Sequence, residues 1–427
     1  MQRSLGWIAA ASSALLLFNP HSAEALDDLI YKDGFDVPAG SLVFVMPYEA
    51  PPEPASVDLE VATRLQSLDM YAILDRSGSM SAEITAIKNN LATVVNNLTC
   101  PPLGNGDPAT CIPDLWAGAG TVGYMDSGAS AFQNWVDVQA NANFAGVPTT
   151  EPPGSTSFNE ALNFSVYATI TGNGGAAFSM PLVPARTSCS TSPAALAGYA
   201  TFGYPCFRQG PLPVVLLVTD EPPISGPGTY TNPPWNTTVL PQMLARRAKL
   251  VGILGSGAAL STATDLQTMA TGTGAVDAAN GNAPLVFSGF DANAANAIQQ
   301  GILALANGVP IDLAALPQDD GSDSVDTIAA FVERIETLQL GTPSCANGLT
   351  EEDGDGDTFP DRYVGVRAGT PVCWRLLTRM NTTVPSTAAW QFFHATVPVV
   401  ADGVSTLETR DVYFLVPPEN GPAAIRD

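Results

Sequence analysis

LDMYAILDRSGSM (residues 68–80) is an apolar run that breaks into a turn rich in oxygen-bearing side chains. Met70 to Leu74 reads as a buried strand, and the stretch SAEITAIKNNLATVVNNL (81–98) has the spacing of a helix. Between them stand Asp75, Ser77 and Ser79. Alternate residues of an extended segment point the same way, so these three can converge on one hard cation. Magnesium suits such a set, since it takes near-octahedral oxygen ligands at about 2.0–2.1 Å and keeps some of its water. The same residues also suit a helix N-terminus capped without any metal.

Two further segments bear on that choice. GSTSFNEAL (154–162) offers Thr156 ahead of a helical pattern, and PVVLLVTDEPP (213–223) delivers Asp220 at the end of an apolar strand. In open α/β sheets, ligands bind outside the carboxyl ends of the strands. DRSGSM, then GST before FNEAL, then LLVTDE, resemble the three segments of the metal-ion-dependent adhesion site of von Willebrand factor A domains over roughly residues 67–308. The resemblance implies Asp75, Ser77, Ser79, Thr156 and Asp220 around one Mg²⁺ or Mn²⁺. It also implies a last coordination position filled by a carboxylate of a protein partner. Glu83 is where integrin-like domains carry an acidic residue that supports a second ion.

Composition narrows the function classes. Hydrophobic residues make up 45% of the 427, charged residues only 14%, which supports packed cores in two or three domains. Forty-one acidic against 17 basic residues give a net charge of −24. Nucleic-acid binding needs clustered Lys and Arg and is disfavoured, as are anionic membrane surfaces. Arg3, the apolar stretch Leu5 to Phe18 and Ala23-Glu24-Ala25 read as an export signal over residues 1–25. No other segment is long and apolar enough to span a bilayer, so a soluble exported protein is expected in the periplasm, at the cell surface or outside the cell.

Six cysteines in an exported chain predict disulfides. Fifteen pairings exist; the sequence-local one joins Cys100 to Cys111, Cys189 to Cys206, and Cys345 to Cys373. Only His21 and His394 are present, and His21 lies in the expected signal. His394, in the run WQFFHATVPVV, reads as a packed strand residue. No G-x-S-x-G elbow occurs, so no catalytic residues are expected and the chain is not read as an enzyme. Gly118-x-Gly120-x-x-Gly123 matches a dinucleotide fingerprint in letters, but a strand is expected after it where a helix is needed.

Strands are predicted at 69–75, 120–126, 132–138, 213–219, 249–254 and 284–288, with helices at 81–98, 158–169, 238–248, 263–270 and 291–307. This α/β alternation gives a doubly wound, mostly parallel, Rossmann-like sheet over 67–308. Residues 171–211 look like an insertion. Tyr230 and Trp235 are candidate contact aromatics beyond Asp220. Past 309 the pattern turns to strands, and 309–427 is expected to be a β-sandwich. Strand character also marks 26–66, so the α/β domain is either inserted in the sandwich or followed by it. That layout resembles the hybrid and I-like domain pair of integrin β subunits.

The acidic loop EEDGDGDTFPDRY (351–363) places Asp353, Asp355, Asp357 and Asp361 among glycines. It resembles a thrombospondin type 3 calcium loop, with Thr358 where a glycine is expected. Calcium accepts six to eight oxygens flexibly; an ion-free acidic loop is the other reading. Asn97, Asn163, Asn236 and Asn381 begin N-x-[ST] sequons. The functional expectation is divalent-cation-dependent protein binding or adhesion. The alternatives are a metal-assisted hydrolase with Glu221 as base, and a structural envelope or matrix protein that binds ions. Oligomeric state stays open.

Overall fold

A computed structural model describes residues 38, 40–63, 65–108, 110–126, 128–151, 160–223, 230–290, 293–403 and 405–419. The expected export signal lies outside them. Two strands come first, β1 (Leu42–Val45) and β2 (Ser56–Ala62). An α/β unit follows: β3 (Ser67–Asp75), α1 (Ser81–Leu98), β4 (Asp114–Val122), β5 (Phe132–Gln139), α2 (Leu162–Thr171), β6 (Leu212–Thr219), α3 (Leu240–Ala245), β7 (Lys249–Leu254), α4 (Leu260–Gly272), β8 (Val286–Ser288) and α5 (Ala294–Gly308). Its strands lie in the order β8-β7-β6-β3-β4-β5. All neighbours are parallel except β5, which runs antiparallel to β4.

Both faces of this sheet are covered, which is why β3 is buried from Leu68 to Asp75 and carries the apolar run Met70 to Leu74 rather than an alternating pattern. Leu68, Met70, Ala72 and Leu74 enter one core with Ile84, Ile87, Leu91, Val94, Val95 and Leu98 of α1. That helix spacing forms a single stripe. Tyr71 and Ile73 point to the opposite core, with Phe164, Val166 and Ile170 of α2. Alternation along one strand thus feeds two cores.

The third unit is β9 (Pro310–Ala315), β10 (Gln318–Asp319), α6 (Thr327–Phe331), β11 (Val332–Leu338), β12 (Thr350–Glu352), β13 (Arg362–Arg367), β14 (Pro371–Thr378), β15 (Gln391–Ala401) and β16 (Ser405–Val416). A seven-stranded sheet has the order β1-β16-β15-β9-β13-β12, with β10 also paired to β15; a three-stranded sheet runs β11-β14-β2. One apolar core, including Phe44, Leu59, Phe331, Trp374 and Phe414, draws on both sheets. The early strand β1 pairs with β16 and β2 with β14.

Several expectations shift. The strand placed at 120–126 lies at Asp114–Val122, so Gly118 and Gly120 are inside it. A Cβ at Gly120 would collide with the Tyr71 hydroxyl. Close packing, not phosphate binding, therefore accounts for that glycine. The helix expected from 158 begins at Leu162. The one expected over 238–248 spans only Leu240–Ala245, after a wide turn at Trp235–Val239. Trp235, 9% exposed, packs in the core instead of offering a contact surface, and Tyr230 packs against the same core.

The segment 171–211 is fastened by Arg208, fully buried. Its guanidinium donates to Asp69 Oδ1 from Nε at 2.8 Å and from Nη2 at 2.7 Å. Nη1 reaches Asp114 Oδ2 at 2.5 Å, and the Trp116 ring lies 4.2 Å from the guanidinium carbon. Removing one partner of a buried pair strands the other charge, at a cost of about 3–5 kcal/mol. Arg208→Ala is expected to destabilise the protein by that amount in urea unfolding. Adding Asp69→Ala should restore part of the loss; additive losses from the two variants would show that the pair is not coupled.

Candidate metal centre

The register of two parallel strands decides where the acidic residues meet. Leu74 of β3 stands opposite Val218 of β6, so both strands end at the same edge of the sheet. The Thr219 hydroxyl donates to Asp75 Oδ2 at 2.7 Å, and the Ser77 amide donates to Asp75 Oδ1 at 2.9 Å. The Ser77 and Ser79 hydroxyls lie 3.0 Å apart. The Ser79 hydroxyl faces the Asp220 carboxylate closely enough to favour its charged form. Asp75, Ser77, Ser79 and Asp220 therefore form one connected cluster. Thr156 lies outside the described residues.

Burial gives the cluster its electrostatics. Asp75 is fully buried and Asp220 is 7% exposed. Desolvation holds Asp75 well above the usual carboxylate range, against the hydrogen bonds from Ser77 and Thr219, and the Asp220 charge adds to the rise. Desolvation also raises Asp220, with a contribution from Glu83. Glu160, 3% exposed, is raised by burial and then by the charges of Asp75, Glu221 and Asp220. Its backbone bridges to Tyr124 and accepts from Asn232 Nδ2 at 2.9 Å, which brings it to this edge. Exposed Glu221 is raised by desolvation and by Asp220.

A buried carboxylate needs a countercharge or a full set of donors. Asp220 Oδ1 is buried with no hydrogen-bond partner among the described residues. Arg76, 2% exposed, follows Asp75 directly, but its Nε faces Glu151 at 3.2 Å. Its other nitrogens donate to Gln133 Oε1 at 3.1 Å and to the Ser130 carbonyl at 2.6 Å. It ties the serine turn to β5 rather than neutralising Asp75. The donor set is all oxygen, partly hydroxyl and partly carboxylate, which fits a small hard divalent cation such as Mg²⁺ or Mn²⁺.

Glu83, fully buried, accepts from the Ser256 amide at 2.9 Å through Oε1. It holds the loop between β7 and α4. Sequence reasoning missed Thr219, Glu160 and Gly255. Thr219 was legible, since it adjoins Asp220 in VTDE. Gly255 was not: a Cβ there would strike Met80 Sδ and come within 3.3 Å of the Asp220 Cβ. Nothing local to Gly255 announces that approach.

The acidic loop stands apart. Ligand oxygens of Asp353, Asp355 and Asp357 lie within 4.8 Å of one another, all on exposed residues. Asp353 accepts from the amides of Gly356 and Thr358 at 2.7 and 2.9 Å, while Asp361 accepts from Gly354 at 2.7 Å. The three cysteine pairs are 100–111, 189–206 and 345–373. Of the sequons, Asn163 and Asn381 are buried and hydrogen-bonded to backbone carbonyls, whereas Asn97 and Asn236 are exposed. Burial removes the first two from the folded surface. No helix among the described residues is long and apolar enough to cross a membrane.

No family model matches the chain, and no curated protein does. Among solved structures, one described as von Willebrand factor type A from Catenulispora acidiphila is 12% identical, with a TM-score of 0.35 over 90% of this chain and 76% of that one. The pilus adhesin SpaC from Lactobacillus rhamnosus GG, in an open conformation, is 12% identical with a TM-score of 0.29, over 84% of this chain and 45% of the adhesin. The human COPII-coat protein Sec24c is 8% identical with a TM-score of 0.33, over 94% and 50%. The chain spans about half the length of the last two. Likeness at this level fixes neither family nor function.

Thr358 adopts φ +82°, a conformation that suits glycine and strains a β-branched residue. Relief of that strain, about 1–2 kcal/mol, exceeds the extra chain entropy that glycine loses on folding. Thr358→Gly is expected to raise stability by about 0.5–1 kcal/mol in thermal unfolding without calcium. A lower melting temperature would contradict the strained geometry.

Proposed function

We propose that this chain is an exported protein-binding or adhesion protein that holds one Mg²⁺ or Mn²⁺ through Asp75, Ser77, Ser79 and Asp220, with Thr156 completing the set. The observation that carries this reading is the unpartnered, buried Asp220 Oδ1 beside the Asp75 turn. An ion there would supply the charge that the carboxylates lack, and its outward side would take an acidic group from a partner protein. Three disulfides suit an oxidising compartment outside the cytoplasm. Asp353, Asp355, Asp357 and Asp361 would hold Ca²⁺ in a separate, structural role.

Within this chain, Asp75 and Asp220 supply charge, Thr219 and the Ser77 amide fix the Asp75 carboxylate, and Arg76 holds the turn against β5. Calorimetry with MgCl₂ and MnCl₂ tests the site. One ion per chain is expected for the wild type, with affinity lowered more than about 100-fold in Asp75→Ala and Asp220→Ala, beyond the range for losing an outer hydrogen bond. Absence of binding in the wild type would end the proposal. Binding to an array of acidic peptides, read with and without EDTA, tests the partner chemistry; capture that survives EDTA would refute it.

We also propose that the α/β unit is inserted within a β-sandwich. The pairing of β1 with β16 and of β2 with β14 supports this. Limited proteolysis that nicks the chain between 62 and 310 should leave the flanking fragments associated under native conditions. Their free separation on gel filtration would exclude the insertion.

A further inference from the structure

We infer that His394 is a proton-operated latch that fastens the acidic segment 320–325 to the seven-stranded sheet. His394 lies on β15, with Nδ1 2.7 Å from Asp320 Oδ2 and Nε2 2.9 Å from Asp411 Oδ1. Its ring rests on Tyr413, the residue opposite it on β16, with centroids 4.8 Å apart. A neutral imidazole carries one N–H, so it can donate to only one of these carboxylates and must turn a lone pair toward the other. The imidazolium donates to both. This geometry is therefore that of the protonated ring, and loss of the proton breaks one of the two bonds.

The bond most readily lost is the one to the loop. Asp411 sits within β16, held by its ladder with β15. Asp319 is tied by β10 to β15, and its Oδ1 accepts from the Thr327 amide and hydroxyl at 3.0 and 2.6 Å. Asp326 caps α6 through the Ala329 amide at 3.0 Å. Between those anchors, Ser322 bonds Asp320 Oδ1 at 2.7 Å and Val325 bonds Asp323 Oδ1 at 2.7 Å. These contacts are internal to the segment. Gly321 also donates to the anchoring Asp319 Oδ2 at 3.1 Å, and Val325 packs at the far end against the core of the β-unit. Among the described residues, Asp320 to His394 is the polar side-chain contact that ties the acidic stretch to β15. With Asp319, Asp320, Asp323 and Asp326 close in sequence, the segment repels itself once the imidazolium charge is gone.

The titrating groups around the ring are Asp319 and Asp320 on the loop side, and Asp411 and Tyr413 on β16. Partial desolvation lowers His394, but the Asp411 and Asp320 bonds outweigh it and the net shift is upward from 6.5. Hydrogen bonds from Ser322, the first cause, and the His394 contact hold Asp320 below 3.8. Burial, then Asp411 and Asp320, raises Tyr413. The stabilisation is thus complete below the unfolded histidine value and is lost as pH rises through the raised folded one.

Hydrogen exchange of the 320–325 amides, corrected for intrinsic rates, tests the latch at pH 6 and pH 8.5. Protection is expected to fall roughly tenfold between them, the scale of one charge-assisted hydrogen bond. His394→Gln should show the low value at both pH values, and Asp320→Asn, at the loop itself, should do the same. Equal protection in the wild type at both pH values would overturn the proposal, as would unchanged pH dependence in either variant. The His394 ring resonance supplies an independent reading: its midpoint should lie above 6.5 and drop in Asp320→Asn, and a midpoint at or below 6.5 excludes the latch.

Discussion

The parallel pairing of β3 with β6 governs the candidate centre. Side by side and in the same direction, both strands stop at one edge, β3 on Asp75 and β6 on Thr219 with Asp220 directly after it. Antiparallel pairing would send Asp75 and Asp220 to opposite sides of the molecule. The strands are apolar because helices cover both faces, so their last residues emerge from a low-dielectric core. That position makes the carboxylates expensive to ionise and places them at the rim where a ligand can approach.

The two ends of β3 show how burial is answered in different ways. Asp69 and Asp75 lie six positions apart on the same strand, and both are fully buried. Asp69 has Arg208 against it, with guanidinium bonds and a backbone amide bond at 2.7 Å. Burial still pushes Asp69 up to about 6. Asp75 receives one hydroxyl and one amide, and the nearby Arg76 is turned toward Glu151. The first end is closed by protein charge. The second has donors for shape but, among the described residues, no cation paired with its carboxylates, which is the condition a cation would satisfy.

The β-rich unit meets the α/β unit through polar contacts as well as chain continuity. Lys249, at the start of β7, lies 3.8 Å from Asp402, and Asp402 accepts from the Asp312 amide at 2.9 Å. Arg367 reaches the Asn307 carbonyl at 3.4 Å near the end of α5. These groups join the amino ends of the parallel strands to the larger β-sheet, on the side away from Asp75 and Asp220.

Much of the fold was legible because its signals are periodic. The helix 81–98 and the strands ending at Asp75 and before Asp220 stand where apolar spacing put them. Reading failed where a residue's reason lies far along the chain. Gly118 and Gly120 belong to the middle of a strand because Tyr71 packs against them. Trp235 is core because a wide turn folds it inward. Sequence alone determined which residues carry oxygen at the right local spacing, since alternation along a turn is a local property. Only the tertiary structure decided which of them share a site. Thr219 with Asp75 and Glu160 beside both aspartates depend on strand register and on burial, and those are set by contacts between segments distant in sequence.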